Sequence, residues 1–256
     1  MLKNNLYIKY IMINKKPKEL LCDLFDYLET KNELTEEIKQ FFKNYTDTDL
    51  YKEALDSWYI TENTDKPAYF LYDEWLFLLC AFTCFRDYSR KYILGLDKCA
   101  DIHNIFNECE TLLDMGNGLG LSTLAFKELW PHLDCKGTNM VPSKQYDHNR
   151  HLGIEIVEPI GNFDIIIAFE YMEHIKEPIK ELNKILDLNP KVLILANSFN
   201  TRAIGHFTNY LIDDEIIPQD KISRIFNKYL RSKGWHQLKL GLWNNKPAVW
   251  QKNNNI

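Results

Sequence analysis

Apolar positions in the first hundred residues recur at three- and four-residue intervals. Leu20, Leu21, Leu24, Phe25 and Leu28 form one stripe after Pro17, and Leu34, Ile38, Phe41, Phe42 and Tyr45 form a second. Leu50, Tyr51, Ala54, Leu55, Trp58 and Tyr59 form a third. This spacing puts each set on one face of an α-helix. From about Tyr69 to Leu94 the chain is apolar on more than one face, which predicts a longer helix central to this region. Residues 1–105 therefore read as a helical N-terminal region, a lid or accessory domain.

The pattern changes near residue 110. Thr111 to Met115 is a short apolar strand ending in glycines, and Leu121 to Trp130 is a helix stopped by Pro131. Asp134 to Met140 and Gly153 to Val157 are candidate strands. Phe163 to Phe169 and Lys191 to Ala196 are apolar almost throughout, as strands buried on both faces are. Between them Pro178 opens a helix carrying Ile179, Leu182, Ile185 and Leu186 on one face. Ile222, Ile225, Phe226, Tyr229 and Leu230 mark another, which Gly234 can end. Trp235 to Trp243 and Pro247 to Gln251 flank a predicted hairpin turn. Alternating strands and helices with a closing hairpin predict an α/β domain over 106–256: a doubly wound, mostly parallel sheet with one antiparallel strand. Ligands of such sheets bind beyond the carboxyl ends of the strands.

Composition narrows the classes of function. The chain has 256 residues, 45% of them hydrophobic, enough for a sizeable core. Its formal net charge of −5 argues against a DNA or anionic-membrane partner held by a general positive field. The six cysteines form no CxxC pair, so they read as buried free thiols in a reducing, cytoplasmic setting. The most apolar stretch, Trp75 to Phe85, is too short to span a bilayer.

The first strand leads into Asp114-Met115-Gly116-Asn117-Gly118-Leu119-Gly120. Glycines permit a tight turn and close approach of a ligand to the backbone. Their GxGxG spacing differs from the GxGxxG of dinucleotide binders, which disfavours an NAD-type oxidoreductase. Asp114 at the strand end would repel a pyrophosphate but suits a ligand bearing ammonium and sulfonium charge. This stretch resembles the first motif of class I S-adenosylmethionine-dependent methyltransferases. The resemblance continues through Gly137-Thr138-Asn139-Met140, Asn162-Phe163-Asp164-Ile165-Ile166 and Tyr171-Met172-Glu173-His174-Ile175-Lys176-Glu177-Pro178, covering about residues 110–200.

The resemblance implies a seven-stranded Rossmann-like sheet, S-adenosylmethionine as cofactor and S-adenosylhomocysteine as product. It implies cofactor contacts from Asp114, Gly116, Asn117, Gly118 and Gly120 at the methionine end, and from Asn139 and Met140 at the ribose. Glu158 is the candidate at the adenine, and Phe169 and Glu170 complete the set. Asn139 stands where the family usually has an acid, and an amide offers one acceptor oxygen and no charge. That departure, with the short connection from Glu158 to Asn162, leaves a non-catalytic binding relative open.

The strand ending in Phe169 lacks the Asp/Asn-Pro-Pro-Tyr turn of amino methyltransferases of DNA bases, and no Pro-Cys pair supplies a cytosine C5 nucleophile. The leading expectation is methyl transfer to a small molecule, to oxygen rather than nitrogen; an RNA-end 2′-O-methyltransferase is a further alternative. Glu170, Glu173 and His174 would share one face if helical. They resemble the Glu-x-x-Glu-His segment of ubiquinone-pathway O-methyltransferases and small-RNA 3′-end methyltransferases, where it can hold a divalent metal. Two carboxylates and one His are incomplete as a metal site. The favoured catalytic set is therefore His174, Glu173 and His206, with no metal.

Overall fold

The computed structural model describes residues 49–64, 67, 75–139, 144–242 and 246–252, together with 36 and 40. The helix expected over 20–28, Cys22 and Met140 lie outside the described residues, and of the helix expected over 34–45 only Glu36 and Gln40 are described, both helical. Among the described residues the helices before the sheet include α1 (Asp49–Thr61), α2 (Trp75–Cys84), α3 (Arg90–Asp97) and α4 (Ala100–Asn107). Between α2 and α3, Phe85–Ser89 form a π-helical turn. The long helix expected over 69–94 thus runs over 75–97 with one widened turn, a feature common at functional sites.

The strands are β1 (Thr111–Met115), β2 (Asp134–Thr138), β3 (Ile165–Phe169), β4 (Val192–Ala196), β5 (Asn209–Ile212), β6 (Glu215–Pro218), β7 (Trp235–Gln237) and β8 (Ala248–Lys252). Six form one sheet in the order β2-β1-β3-β4-β8-β7. β1 to β4 run parallel, and β8 is antiparallel to both β4 and β7, so one strand is reversed as expected. The expected strand at 153–157 survives as a single bridge between Ile156 and Gly137, so among the described residues the sheet has six strands rather than seven. Gly153, in a left-handed conformation, and Pro159, which lacks an N–H, leave little chain between them for pairing. β5 and β6 make a separate hairpin that the hydrophobic pattern did not suggest.

β3 and β4 are buried at every position. The helices after the strands are α5 (Leu121–Leu129), α6 (Lys144–His151), α7 (Pro178–Asp187) and α8 (Gln219–Ser232). Phe126 from α5, Leu182 from α7 and Phe226 from α8 join Trp58 from α1 in one continuous core. Two polar ties fix α1 to the α/β part. Trp58 Nε1 donates to the His206 carbonyl at 2.8 Å. The buried Glu62 carboxylate accepts from the Thr208 N–H at 2.8 Å and its hydroxyl at 2.6 Å. Among the described residues no helix is long and apolar enough to cross a membrane.

β1 has β2 on one side and β3 on the other, so strand order switches beside it. The carboxyl ends of β1 and β3 therefore open the crevice where such sheets bind ligands.

Candidate active site

The glycine loop leaves β1 into that crevice. Gly116, Gly118 and Gly120 all have positive φ, at 66°, 51° and 77°, a region that side chains with a Cβ rarely adopt. The Gly116 and Asn117 N–H groups donate to the Thr138 carbonyl at the end of β2. A Cβ on Gly116 would collide with the Tyr171 ring, and one on Gly120 with Asn149 Oδ1.

Two cavities meet at Gly116. One, of 490 Å³, is lined by Asp114, Asn117, Gly118, Phe169, Glu170, His174 and His206, all of them sequence candidates. The other, of 540 Å³, is lined by Asn139, Glu158, Tyr146 and Tyr171 among others. Gly120 and Glu173 line neither: Gly120 makes room for Asn149, and Glu173 is fully buried behind the wall.

Asp114 is buried and accepts the Thr123 hydroxyl at 2.8 Å. Burial raises its pKa to about 7, against the opposing effect of that hydrogen bond. Asn139 does not offer its oxygen to the cavity, because Oδ1 already accepts the Gly118 N–H at 3.0 Å. Its buried Nδ2 has no hydrogen-bond partner among the described residues, so Asn139 presents a donor where an acceptor was expected. The Asn117 amide turns beneath the loop, where Nδ2 donates to Asn149 Oδ1 at 2.7 Å.

Helix α6 supports the loop from below, and none of its residues was a sequence candidate. Asn149 is fully buried, and its Nδ2 donates to the carbonyls of Gly118 at 2.7 Å and Gln145 at 2.8 Å. His148 Nδ1 donates to the Leu119 carbonyl at 2.8 Å. Burial lowers the His148 pKa to about 4, keeping the ring neutral.

Beyond β3, Glu170 has φ of 47° and only Met172–His174 form a short 3₁₀ turn. The helical face expected for Glu170, Glu173 and His174 is therefore not formed, because the chain reverses sharply at Glu170. Glu173 Oε1 accepts the Ser198 N–H at 2.9 Å, whereas Oε2 has no hydrogen-bond partner among the described residues. Burial and the neighbouring Glu170 raise the Glu173 pKa well above the usual range. The rings of His174 and His206 meet edge to face at 4.7 Å. Burial, with His206 alongside, holds His174 well below its ordinary pKa, and burial lowers His206 as well. A Glu173 oxygen and one nitrogen of each imidazole lie within 4.8 Å of one another, an arrangement that could hold a metal ion.

The widened turn adds Phe85, Tyr88 and Ser89 to the wall of the first cavity, with Tyr51 from α1 and Tyr92 from α3. Tyr92 packs edge-on against Phe169 at 5.7 Å, and its hydroxyl donates to Glu170 at 3.4 Å. Phe85 thus faces the cavity, whereas Phe82 is core. Tyr69, Phe70 and Tyr72 lie outside the described residues. Cys80 and Cys84 also line this cavity as free thiols, and burial pushes Cys80 up to about 12.

Comparison with known proteins gives the fold and the family. The plantazolicin methyltransferase BpumL, in complex with a monoazolic desmethylPZN analogue and SAH, aligns at a TM-score of 0.52 and 11% identity. That alignment covers 85% of this chain and 99% of BpumL. The mitomycin 7-O-methyltransferase MmcR aligns at 0.48 and 14% identity, over 78% of this chain and 66% of MmcR. An O-methyltransferase family protein from Burkholderia thailandensis aligns at 0.49 and 11% identity, over 80% of this chain and 70% of that one. At 11% identity the likeness to BpumL speaks to fold alone. No curated protein sequence matches the chain. A family profile described as "Methyltransferase domain" matches residues 85–238, from the widened helical turn to the end of β7. That span exceeds half of the sequence and includes both cavities' glycine loop, and the chain belongs to this methyltransferase-domain family.

Proposed function

We propose that the chain is an S-adenosylmethionine-dependent methyltransferase acting on a hydroxyl oxygen of a small molecule. The observation that carries this reading is the meeting of two cavities at Gly116, the first lined by Asp114, Glu170 and both histidines and the second by Asn139 and Glu158. The residues fit the cofactor. Asp114 and the Gly116–Gly118 backbone suit its cationic amino acid end. The unpartnered Asn139 Nδ2 and Glu158 suit the oxygens and nitrogens of its nucleoside. When bound, the cofactor supplies an electrophilic methyl group.

The remaining chemistry belongs to the acceptor. Methyl transfer from an activated donor depends mainly on alignment, and a base assists when the nucleophile is a hydroxyl. His174 and His206 face the first cavity as neutral imidazoles, each able to take the hydroxyl proton. Glu173 acts behind them as a positioning residue through the Ser198 backbone. Helices α1 to α3 close the cavity on the side away from the sheet and exclude water.

Calorimetry with S-adenosylhomocysteine, followed by labelled-methyl turnover over a panel of hydroxylated metabolites, tests the reading. Binding with turnover supports it; binding without turnover on any member favours a non-catalytic relative; no binding overturns it. One observation favours a variant mechanism, in which the unpartnered Glu173 Oε2 and the two imidazoles hold a divalent ion. Loss of turnover with chelator and its return with Mg²⁺ or Mn²⁺ would establish that variant, and indifference to chelator would discard it.

A further inference from the structure

The charges lining the first cavity are separated. Its carboxylates are Asp114, the penultimate residue of β1 before the glycine loop, and Glu170, directly after β3. Its Lys and Arg side chains, Arg202 and Lys246, come from the β4 and β8 side of the sheet, after β4 and before β8. Neither cation is neutralised: among the described residues no carboxylate lies within 4.0 Å of either. Both are instead held by neutral groups. The Arg202 guanidinium lies 4.4 Å over the Tyr59 ring, and Lys246 Nζ donates to Ser198 Oγ at 3.3 Å. Ser198 and Thr201 add hydroxyls to the same side. Between this side and the glycine loop stand His174 and His206, and Phe85, Tyr88, Tyr92 and Phe169 give an aromatic wall.

We infer that the acceptor is a small hydroxylated anion, carrying a carboxylate or phosphate that Arg202 and Lys246 bind. Its hydroxyl then lies at the His174–His206 pair and its apolar body along the aromatic wall. The acidic half of the cavity receives a cationic ligand group and the basic half an anionic one. Two unneutralised cations converging on one cavity gain most from a charged partner there, because charge-assisted hydrogen bonds are shorter and stronger than neutral ones. Arg202 offers a planar fork and Lys246 a compact ammonium, so either a carboxylate or a phosphate can be held. The position of the reacting hydroxyl rests on the methyltransferase reading; the anion subsite rests on the two cations.

The test is calorimetric titration of the full chain, with and without S-adenosylhomocysteine, using three probes: 4-hydroxybenzoate, 4-hydroxyphenyl phosphate and the neutral methyl 4-hydroxybenzoate. At least one anion is expected to bind tenfold or more tightly than the ester, with the preference shrinking as salt is raised. Arg202→Gln and Lys246→Gln are each expected to reduce anion affinity fivefold or more. Ester and S-adenosylhomocysteine affinities are expected to stay unchanged, and Arg202→Lys to restore part of the loss. Equal binding of ester and anions, or no anion binding, overturns the inference. An anion preference without S-adenosylhomocysteine binding would sustain the subsite and overturn the methyltransferase reading instead.

Discussion

Asp114 shows how burial sets the conditions under which one residue can bind. Its pKa moves from 3.8 to about 7 because the carboxyl is out of water and the Thr123 hydroxyl compensates only in part. The folded protein thus holds this proton more tightly than the unfolded chain. In the ligand-free state Asp114 lowers stability as pH rises from about 4 towards 7. A ligand with an ammonium or sulfonium group reverses the preference by favouring the ionised form. Cofactor affinity is therefore expected to rise with pH through about 7, with a limiting slope of about tenfold per unit for one linked proton. Calorimetry at pH 6, 7 and 8 reads this directly, and Asp114→Asn is expected to flatten the profile. Asn139 gives a second residue-level expectation. Asn139→Asp keeps one oxygen for the Gly118 N–H and replaces the unpartnered donor by a second acceptor. If ribose hydroxyls donate there, affinity holds or improves. A loss of roughly tenfold, about 1.4 kcal/mol, with the fold intact would show that the native amide donates to the ligand.

At the scale of elements, what could be read from the sequence follows from how each element is held. β1, β3, β4, α5, α7 and α8 stood out because burial of apolar side chains builds them, and that leaves a periodicity. Helix α6 did not, because KQYDHNRH has no apolar stripe. Its His148 and Asn149 attach it to the glycine loop by hydrogen bonds instead. The β5–β6 hairpin turns on Asp213 and Asp214, both at positive φ. That Asp-Asp pair between two short apolar runs was a legible signal, though weaker than Asn-Gly. The widened turn at Phe85–Ser89 had no signature in hydrophobic spacing. The glycine loop, Glu170 and His174 were legible as motif residues, and His206 only as a lone histidine beyond β4. Asn149, Arg202 and Lys246 were not, since their contribution depends on which distant segments the fold brings together. Asn149 also yields a quantitative expectation. Asn149→Ala removes a donor from the buried Gln145 carbonyl and from the part-buried Gly118 carbonyl and is expected to cost roughly 2 kcal/mol of stability, and about tenfold in S-adenosylhomocysteine affinity if the loop distorts. Gly120→Ala alone forces a Cβ against Asn149 Oδ1 at a left-handed position. In the double variant that collision is gone and only the backbone strain of Gly120→Ala remains, so denaturation is expected to show less than the sum of the two single losses.

For the whole molecule, the question is how the helical N-terminal part serves a site built at the ends of β1 and β3. The ties at Trp58 and Glu62 both end on residues 206–208, just past the imidazole of His206. Closing the cavity and positioning His206 are therefore one mechanical act, because α1 supplies Tyr51 to the wall while Trp58 and Glu62 hold the loop that carries the histidine. The proposed cofactor contacts come from the ends of β1, β2 and β3, whereas the hydrogen bonds of Glu62 go to Thr208. Glu62→Ala is expected to leave the Thr208 N–H and hydroxyl without their carboxylate and to loosen α1 from the 206–208 segment. S-adenosylhomocysteine affinity is expected to stay within about twofold, since its contacts come from β1, β2 and β3, a change of roughly 0.4 kcal/mol. Acceptor turnover is expected to fall further, with amide exchange faster at 206–208 and along α1 than in the sheet. Glu62→Gln, which keeps one acceptor oxygen, is expected to recover part of the turnover. An equal loss of cofactor affinity and turnover in Glu62→Ala would show that α1 supports the whole domain rather than the acceptor side of its cavity.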